Sequence, residues 1–362
     1  MATRIKQVFS RYGRTALLFH SGVFLATLSG SYAAIHSGVD LQQVAQRVPF
    51  VDLSKVNPDA GNPAMTTSSL LARRLLSSSA KRAPVRAYRQ TPPRPVPSSI
   101  PHPPYAATGG MSQLKPFIPI LDAQQQRRLR VACALAKEIR DFAEPLCEVG
   151  QTTEDIDRLV HEEILRHGAY PSPLNYGGFP KALCSSVNEI VVHGIPDSRP
   201  LEDGDLVNID ISVFVDGFHG DTSQTFLVGD VDDAGKRLVD VTNQALMGAI
   251  QICCKPRNRF ATIGAFVEEL ADKEDLGVIR EYTGHGIGKE FHCLPFILHH
   301  RNGEPGHMLP GMAFTVEPAL TEGSPEIVHW DDGWTVATAD GGRSAQAEHT
   351  VLITEDGVDI LT

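Results

Sequence analysis

Four carboxylates and one imidazole in this sequence stand where ordinary structural roles explain them poorly, and all are groups that hold divalent cations. Residues 206–228 read LVNIDISVFVDGFHGDTSQTFLV, two alternating runs either side of Asp216-Gly217. That dipeptide is the strongest short signal for a two-residue hairpin turn. Residues equidistant from such a turn face one another, so Asp221 lies opposite Ser212. Asp210 shares the face of Ser212, two residues along, and both carboxylates project from one side of the sheet. Solvated side chains on a surface hairpin are the commoner explanation of an Asp pair. On an inner face the two would repel unless a cation lay between them.

The rest of the chain favours the inner face. His285 sits in TGHGIG, whose glycines permit close approach of backbone and ligand. Glu317 sits in FTVEP and Glu348 in SAQAEHTVLI, each within an apolar β run that has no other use for a charge. An oxygen-rich set with a single imidazole suits two divalent ions (Co, Mn, Fe or Zn) in a hydrolytic site, not a closed structural zinc.

With these residues in view, the chain resembles the methionine aminopeptidases. The matching blocks are GGFPKALCSSVNEIVVHGIP, GDLVNIDISVFVDGFHGDTSQTF, YTGHGIGKEFH, LPGMAFTVEP and SAQAEHTVLIT, in the family's order and spacing over residues 124–361. The resemblance implies the pita-bread fold and five metal ligands: Asp210, Asp221, His285, Glu317 and Glu348. It further implies that Asp221 and Glu348 bridge two ions, that Asp210 chelates one, and that His285 and Glu317 hold the other. Glu317 is our candidate proton shuttle. His193, in VVHGIP, would contact the scissile amide, and His292, in KEFH, would stabilise the tetrahedral oxygen. The methionine pocket would be lined by Tyr176, Phe179, Cys184, Phe291 and Trp334, with His193 and His292 also meeting substrate. His161, His167, His299, His300, His307 and His329 lie in no motif and are expected on the surface or in loops.

His285 and Glu317 are 32 positions apart. That leaves no room for the helical insertion of type 2 enzymes, so the body resembles type 1. The implied reaction removes the initiator methionine from nascent polypeptides with a small second residue. Two alternatives stay open: an Xaa-Pro-type peptidase with the same ligands, and a non-catalytic binding module on the same fold.

Positioning these residues requires both helices and strands. Amphipathic periodicity predicts helices over 122–144, capped by Asp122, and 153–167, ended by Gly168. Strand patterns follow at 183–187, 206–215 and 222–228, then helices near 233–254 and 262–275, then strands at 312–317, 326–330 and 345–353. Helices and strands segregated in this way predict an α+β domain over residues 122–362, and the resemblance implies for it a central antiparallel sheet flanked by helices.

The 362 residues carry charge unevenly. Residues 1–121 hold 14 Lys/Arg and 3 Asp/Glu; residues 122–362 hold 19 and 40. The acidic body argues against nucleic acid as a partner. None of the six cysteines forms a C-x-x-C pair, and reduced, buried thiols are expected. Residues 65–90 are Arg- and Ser-rich and free of acid, as in a mitochondrial transit peptide. Residues 91–121 are expected to be a Pro-rich linker. Residues 15–35 lack charge and are just long enough to cross a bilayer, the only expected membrane contact. They belong to a stretch resembling a small mitochondrial membrane-protein family, so residues 1–64 are expected to be a separate fragment or mis-joined exon. The expected location is mitochondrial, in the matrix, with the cytoplasm as alternative, and the catalytic domain is expected to be monomeric.

Overall fold

A computed structural model describes residues 83–362 apart from residue 113. The chain divides after Ala83, and the second unit, Pro84–Thr362, holds every described helix and strand. The transit-like and membrane-segment expectations for residues 1–82 lie outside the described residues.

The helices are α1 (Ala123–Ala143), α2 (Thr153–Arg166), α3 (Asp233–Cys253) and α4 (Ala261–Lys273). The early strands are β1 (Tyr170–Pro171), β2 (Cys184–Val187), β3 (Ile190–Val192), β4 (Leu206–Val215) and β5 (Phe218–Leu227). After α4 come β6 (Gly277–Val278), β7 (Gly284–Gly286), β8 (Cys293–Ile297), β9 (Ala313–Val316) and β10 (Ala319–Thr321). The last are β11 (Ile327–His329), β12 (Val336–Thr338), β13 (Ser344–Gln346), β14 (Glu348–Ile353) and β15 (Val358–Ile360). The main sheet runs β1-β4-β5-β14-β9-β7-β8 with every pair antiparallel; β2 joins β4 and β15 joins β14. Helices flank it, as the resemblance implies.

Local chemistry explains the boundaries. Asp122 accepts hydrogen bonds from the backbone N–H groups of Gln124 and Gln125 at 2.9 Å while the Gln125 side chain accepts from the Asp122 N–H, a complete capping box. Leu129, Cys133, Ala136 and Ile139 form the buried stripe of α1. The β4–β5 turn falls at Asp216-Gly217, both with positive φ (52° and 75°), which a tight hairpin demands. Register therefore pairs Ser212 with Asp221 and Asp210 with Ser223.

The chain departs from expectation in three places. The run 345–353 is two strands in different sheets: β13 pairs β10, whereas β14 pairs β5 and β9. Several strands of two or three residues, including β7 with its His285, are too short to show periodicity. Most notably, residues 91–121 do not stand off as a linker, and residues 84–90, expected in the transit-like stretch, are tied down with them through the Val85 and Tyr88 N–H groups, which donate to Glu189 and Asp197. They build no core of their own but bury Ile100, Tyr105 and Leu121 against the catalytic unit. All six cysteines are free and buried.

Gly220 sets how closely β5 approaches α1. A Cβ there would lie 2.4 Å from the carbonyl atoms of Ala132 and 2.5 Å from the Cys133 nitrogen, all backbone. Gly220→Ala must push helix and strand apart, with an expected loss of roughly 1–3 kcal/mol. Thermal unfolding checks this: the variant melts several degrees lower, and an unchanged midpoint would contradict so tight a contact.

Candidate active site

Register alone brings five side chains to one face. Asp210 pairs with Ser223, which pairs on its other side with Glu348, and Asp221 lies two residues from Ser223. The β14–β9 register pairs His349 with Val316, and its continuation sets Glu348 opposite Glu317. The β7–β9 pairing of Gly286 with Phe314 sets His285 beside Thr315, whose Oγ1 accepts the His285 N–H at 2.9 Å. Side chains alternate along each strand, so all five share a surface.

Ligand atoms of Asp221, His285 and Glu348 lie within 4.8 Å of one another. His285 Nε2 is 3.5 Å from Asp221 Oδ2 and 3.7 Å from Glu317 Oε1. A Cβ at Gly284 would meet the Thr315 carbonyl oxygen at 2.3 Å, so that glycine lets β7 draw His285 into the cluster.

Neighbours fix each ligand's orientation. Ser212 Oγ donates to Asp221 Oδ1 at 2.7 Å and Thr315 Oγ1 to Glu317 Oε1 at 2.8 Å. Gln346 Nε2 donates to Glu317 Oε2 at 3.2 Å, and His299 Nε2 accepts the Glu317 N–H at 3.0 Å. His299 lies in the loop after β8, as expected for an unassigned histidine, but it is not on the surface: it is 1 % exposed and supports Glu317. His161 is buried too, with Nε2 3.2 Å from the Pro95 carbonyl.

The electrostatics are those of like charges crowded away from water. Burial and the charges of Asp221 and Glu317 push Asp210 well above the usual carboxylate range. Burial and neighbouring carboxylates do the same to Glu348, and burial takes Glu317 to about 7. Burial would depress His285, but the hydrogen bond to Asp221 and the charge of Glu317 raise it. Asp210 Oδ1 is buried and accepts no hydrogen bond from the described residues. A buried carboxylate oxygen without a partner, among three more carboxylates and an imidazole, is a donor set suited to hard or borderline divalent cations.

Around this face stand the remaining expected residues, in two groups. His292 lies 4.1 Å from the His285 ring, 4.2 Å from Phe291 and 4.9 Å from Tyr176, between ring centroids. Burial, then the nearby His285, keeps His292 well below the ordinary histidine range, hence neutral, and its Nδ1 is buried without a partner among the described residues. The second group joins Phe179 to Trp334 at 5.2 Å, with Cys184 and Ile195 packed alongside and His193 6.0 Å from Trp334. Cys184 pairs directly with Asp210. Burial lowers His193 to about 4. His219, inside the matching block around Asp221 but given no role there, is a further site neighbour: it shares the face of Asp221, stacks on Phe291 at 5.1 Å and bonds Ser172 Oγ through Nδ1 at 2.9 Å. Its place two residues before Asp221 on a strand is the available signal.

A sequence model of metallopeptidase family M24 matches residues 127–355, and one of the FAM210A/B-like domain matches residues 3–80. The chain is 49% identical over 282 residues to methionine aminopeptidase 1D, chloroplastic/mitochondrial, of Arabidopsis thaliana, covering 78% of this chain and 80% of that one. It is 50% identical over 272 residues to methionine aminopeptidase 1D, mitochondrial, of Mus musculus, covering 75% and 81%. The crystal structure of methionine aminopeptidase from Rickettsia prowazekii superposes with a TM-score of 0.66 at 44% identity, over 68% of this chain and 100% of that one.

The crowding of carboxyl groups sets the pH dependence of metal binding. Asp210, Glu317 and Glu348 are all shifted upward, so the metal-free protein retains protons near pH 7 that a cation must displace. Titrating Mn²⁺ at pH 7 should release protons, and apparent affinity should rise as pH increases through neutrality. Calorimetry in two buffers of different ionisation enthalpy reads this; heats independent of buffer would contradict it.

Proposed function

This chain belongs to metallopeptidase family M24, on its methionine aminopeptidase branch, and from that premise we propose how its residues divide the work. It has the pita-bread fold and removes the N-terminal methionine from polypeptides. The observation that carries this reading is the convergence of Asp210, Asp221, His285, Glu317 and Glu348 on one buried face, with Asp210 Oδ1 unpartnered among the described residues.

In our reading those five residues would hold two divalent ions: Asp221 and Glu348 would serve both, Asp210 would serve one, and His285 with Glu317 the other. Such ions supply charge that offsets the carboxylates, activation of a water and polarisation of the scissile carbonyl. Glu317 would be suited to carry a proton from a water on this face to the leaving amine, because its carboxyl belongs to the same face as the other four residues. Thr315 and Gln346 grip its two oxygens and so fix the direction in which it delivers the proton. His292 is neutral and unpartnered at Nδ1 among the described residues, free to meet an oxygen that becomes charged during the reaction. His193, also neutral, is placed beside Trp334 to meet the scissile amide. Phe179, Cys184 and Trp334 on one side, and Tyr176 and Phe291 on the other, are apolar walls fit for a thioether.

The substrate is a free N-terminus with a small second residue. A single chain supplies all five ligands, which supports a monomeric catalytic unit. The names of the relatives support a mitochondrial location, and the transit-like composition of residues 65–90 supports the matrix within it. No helix among the described residues is long and apolar enough to cross a membrane.

Purified protein supplied with Mn²⁺ or Co²⁺ should release methionine from Met-Ala-Ser and leave an Xaa-Pro peptide intact. The reverse preference would indicate the Xaa-Pro activity, and no release from either would indicate a binding module. Glu317→Gln should lower kcat by about 10²-fold or more, the usual contribution of a positioned proton carrier. Near-normal turnover in that variant would remove Glu317 from the role.

A further inference from the structure

The segment 84–112 grips the loop carrying Tyr176, Phe179 and Cys184 at both ends. At one end Lys181, 2 % exposed, donates to Glu154 at 2.6 and 2.7 Å and to Thr91 Oγ1 at 3.0 Å. Arg94 donates to Glu154 at 2.7 Å and pairs with Asp157, whose other oxygen accepts the Ala182 N–H at 2.7 Å. Lys181 is three residues from Cys184, so the segment and the pocket wall share one buried ionic anchor. At the other end Asn175 Nδ2 donates to the Ala106 carbonyl at 2.8 Å, and the Gly177 N–H to the Gly110 carbonyl at 3.1 Å. Tyr105 is buried edge-on against Tyr176 at 4.9 Å. The Ser112 N–H donates to Tyr176 Oη at 3.2 Å, while Ser112 Oγ makes a long contact, 3.4 Å, with the His292 N–H.

Between these anchors the segment reaches the pocket. A Cβ built on Gly177 would lie 2.5 Å from the Met111 methyl carbon and 3.0 Å from Trp334 Cη2, so thioether and indole both close on the space above that glycine. Met111 keeps 40% of its surface exposed, as a rim residue would.

Taking the site as a methionine aminopeptidase, we propose that residues 84–112 form a strap belonging to the substrate site, in which Met111 closes the outer wall of the methionine pocket and sets substrate affinity. Its neighbours Tyr105 and Ser112 act as positioning residues, holding Tyr176 and the His292 backbone in place. Met111 and Trp334, on the pocket wall, both crowd the open side of Gly177, away from the reacting centre, so Met111 contributes to ground state and transition state alike. Truncating it should then raise KM and spare kcat. The strap is also part of the working enzyme, so processing that removed residues beyond Thr91 would cost substrate affinity.

The test is steady-state methionine release from Met-Ala-Ser by the full chain, its Met111→Ala variant and its Met111→Leu variant, with melting temperatures in parallel. Met111→Ala should raise KM about five- to tenfold with kcat and melting temperature little changed, as expected for loss of a sulfur–aromatic wall. Met111→Leu, which conserves volume, should restore KM to within about twofold. An unchanged KM in Met111→Ala, or a fall in kcat and melting temperature together, would overturn the strap's role while the parent's activity upholds the reading of the site. No release by the parent would overturn both.

Discussion

Four carboxylates and one imidazole held together away from water are the constraint on which the rest of this structure depends. Burial and mutual charge push Asp210, Glu317 and Glu348 upward, an arrangement that destabilises the fold unless cations or protons offset it. Much of the surrounding structure exists to keep these groups apart by the right distance and aimed at one another. The hairpin turn at Asp216-Gly217 fixes the register of Asp210 and Asp221. Pairing of β14 with both β5 and β9 carries that face across to Glu348 and Glu317. Ser212, Thr315, Gln346 and His299 then spend their hydrogen bonds on ligand side chains or the ligand backbone.

Function depends on the groups that surround the cluster. His193 and His292 beside it are neutral because they are buried, so neither adds positive charge to the acidic face. Apolar rings pack beside them, Tyr176 on Phe291 and Phe179 on Trp334, the walls proposed for the methionine side chain. The strap adds an outer wall built from a part of the chain whose composition suggests only a spacer.

How much of this the sequence displays depends on the range of the interaction. Asp210 and Asp221 are legible because an Asp-Gly turn sets their register locally, and the observed pairing of Ser212 with Asp221 is the expected one. His285, Glu317 and Glu348 are legible as misfits in apolar surroundings, but their convergence is set by strand order, which no local pattern encodes. The strap is hidden because Pro-rich composition reports the absence of an own core and says nothing of docking through Arg94, Thr91 and Tyr105 onto residues some 60 to 70 positions away. His299 is hidden for the same reason: its role is a hydrogen bond to the Glu317 backbone, 18 residues on, invisible to any motif.

The position of bound cations is the decisive observable. A crystal of the protein grown with Mn²⁺ and measured at the manganese absorption edge should show two anomalous peaks beside Asp221 and Glu348. One should lie towards Asp210 and the other towards His285 and Glu317. No peak on this face, or a peak held by other residues, would contradict a two-metal site.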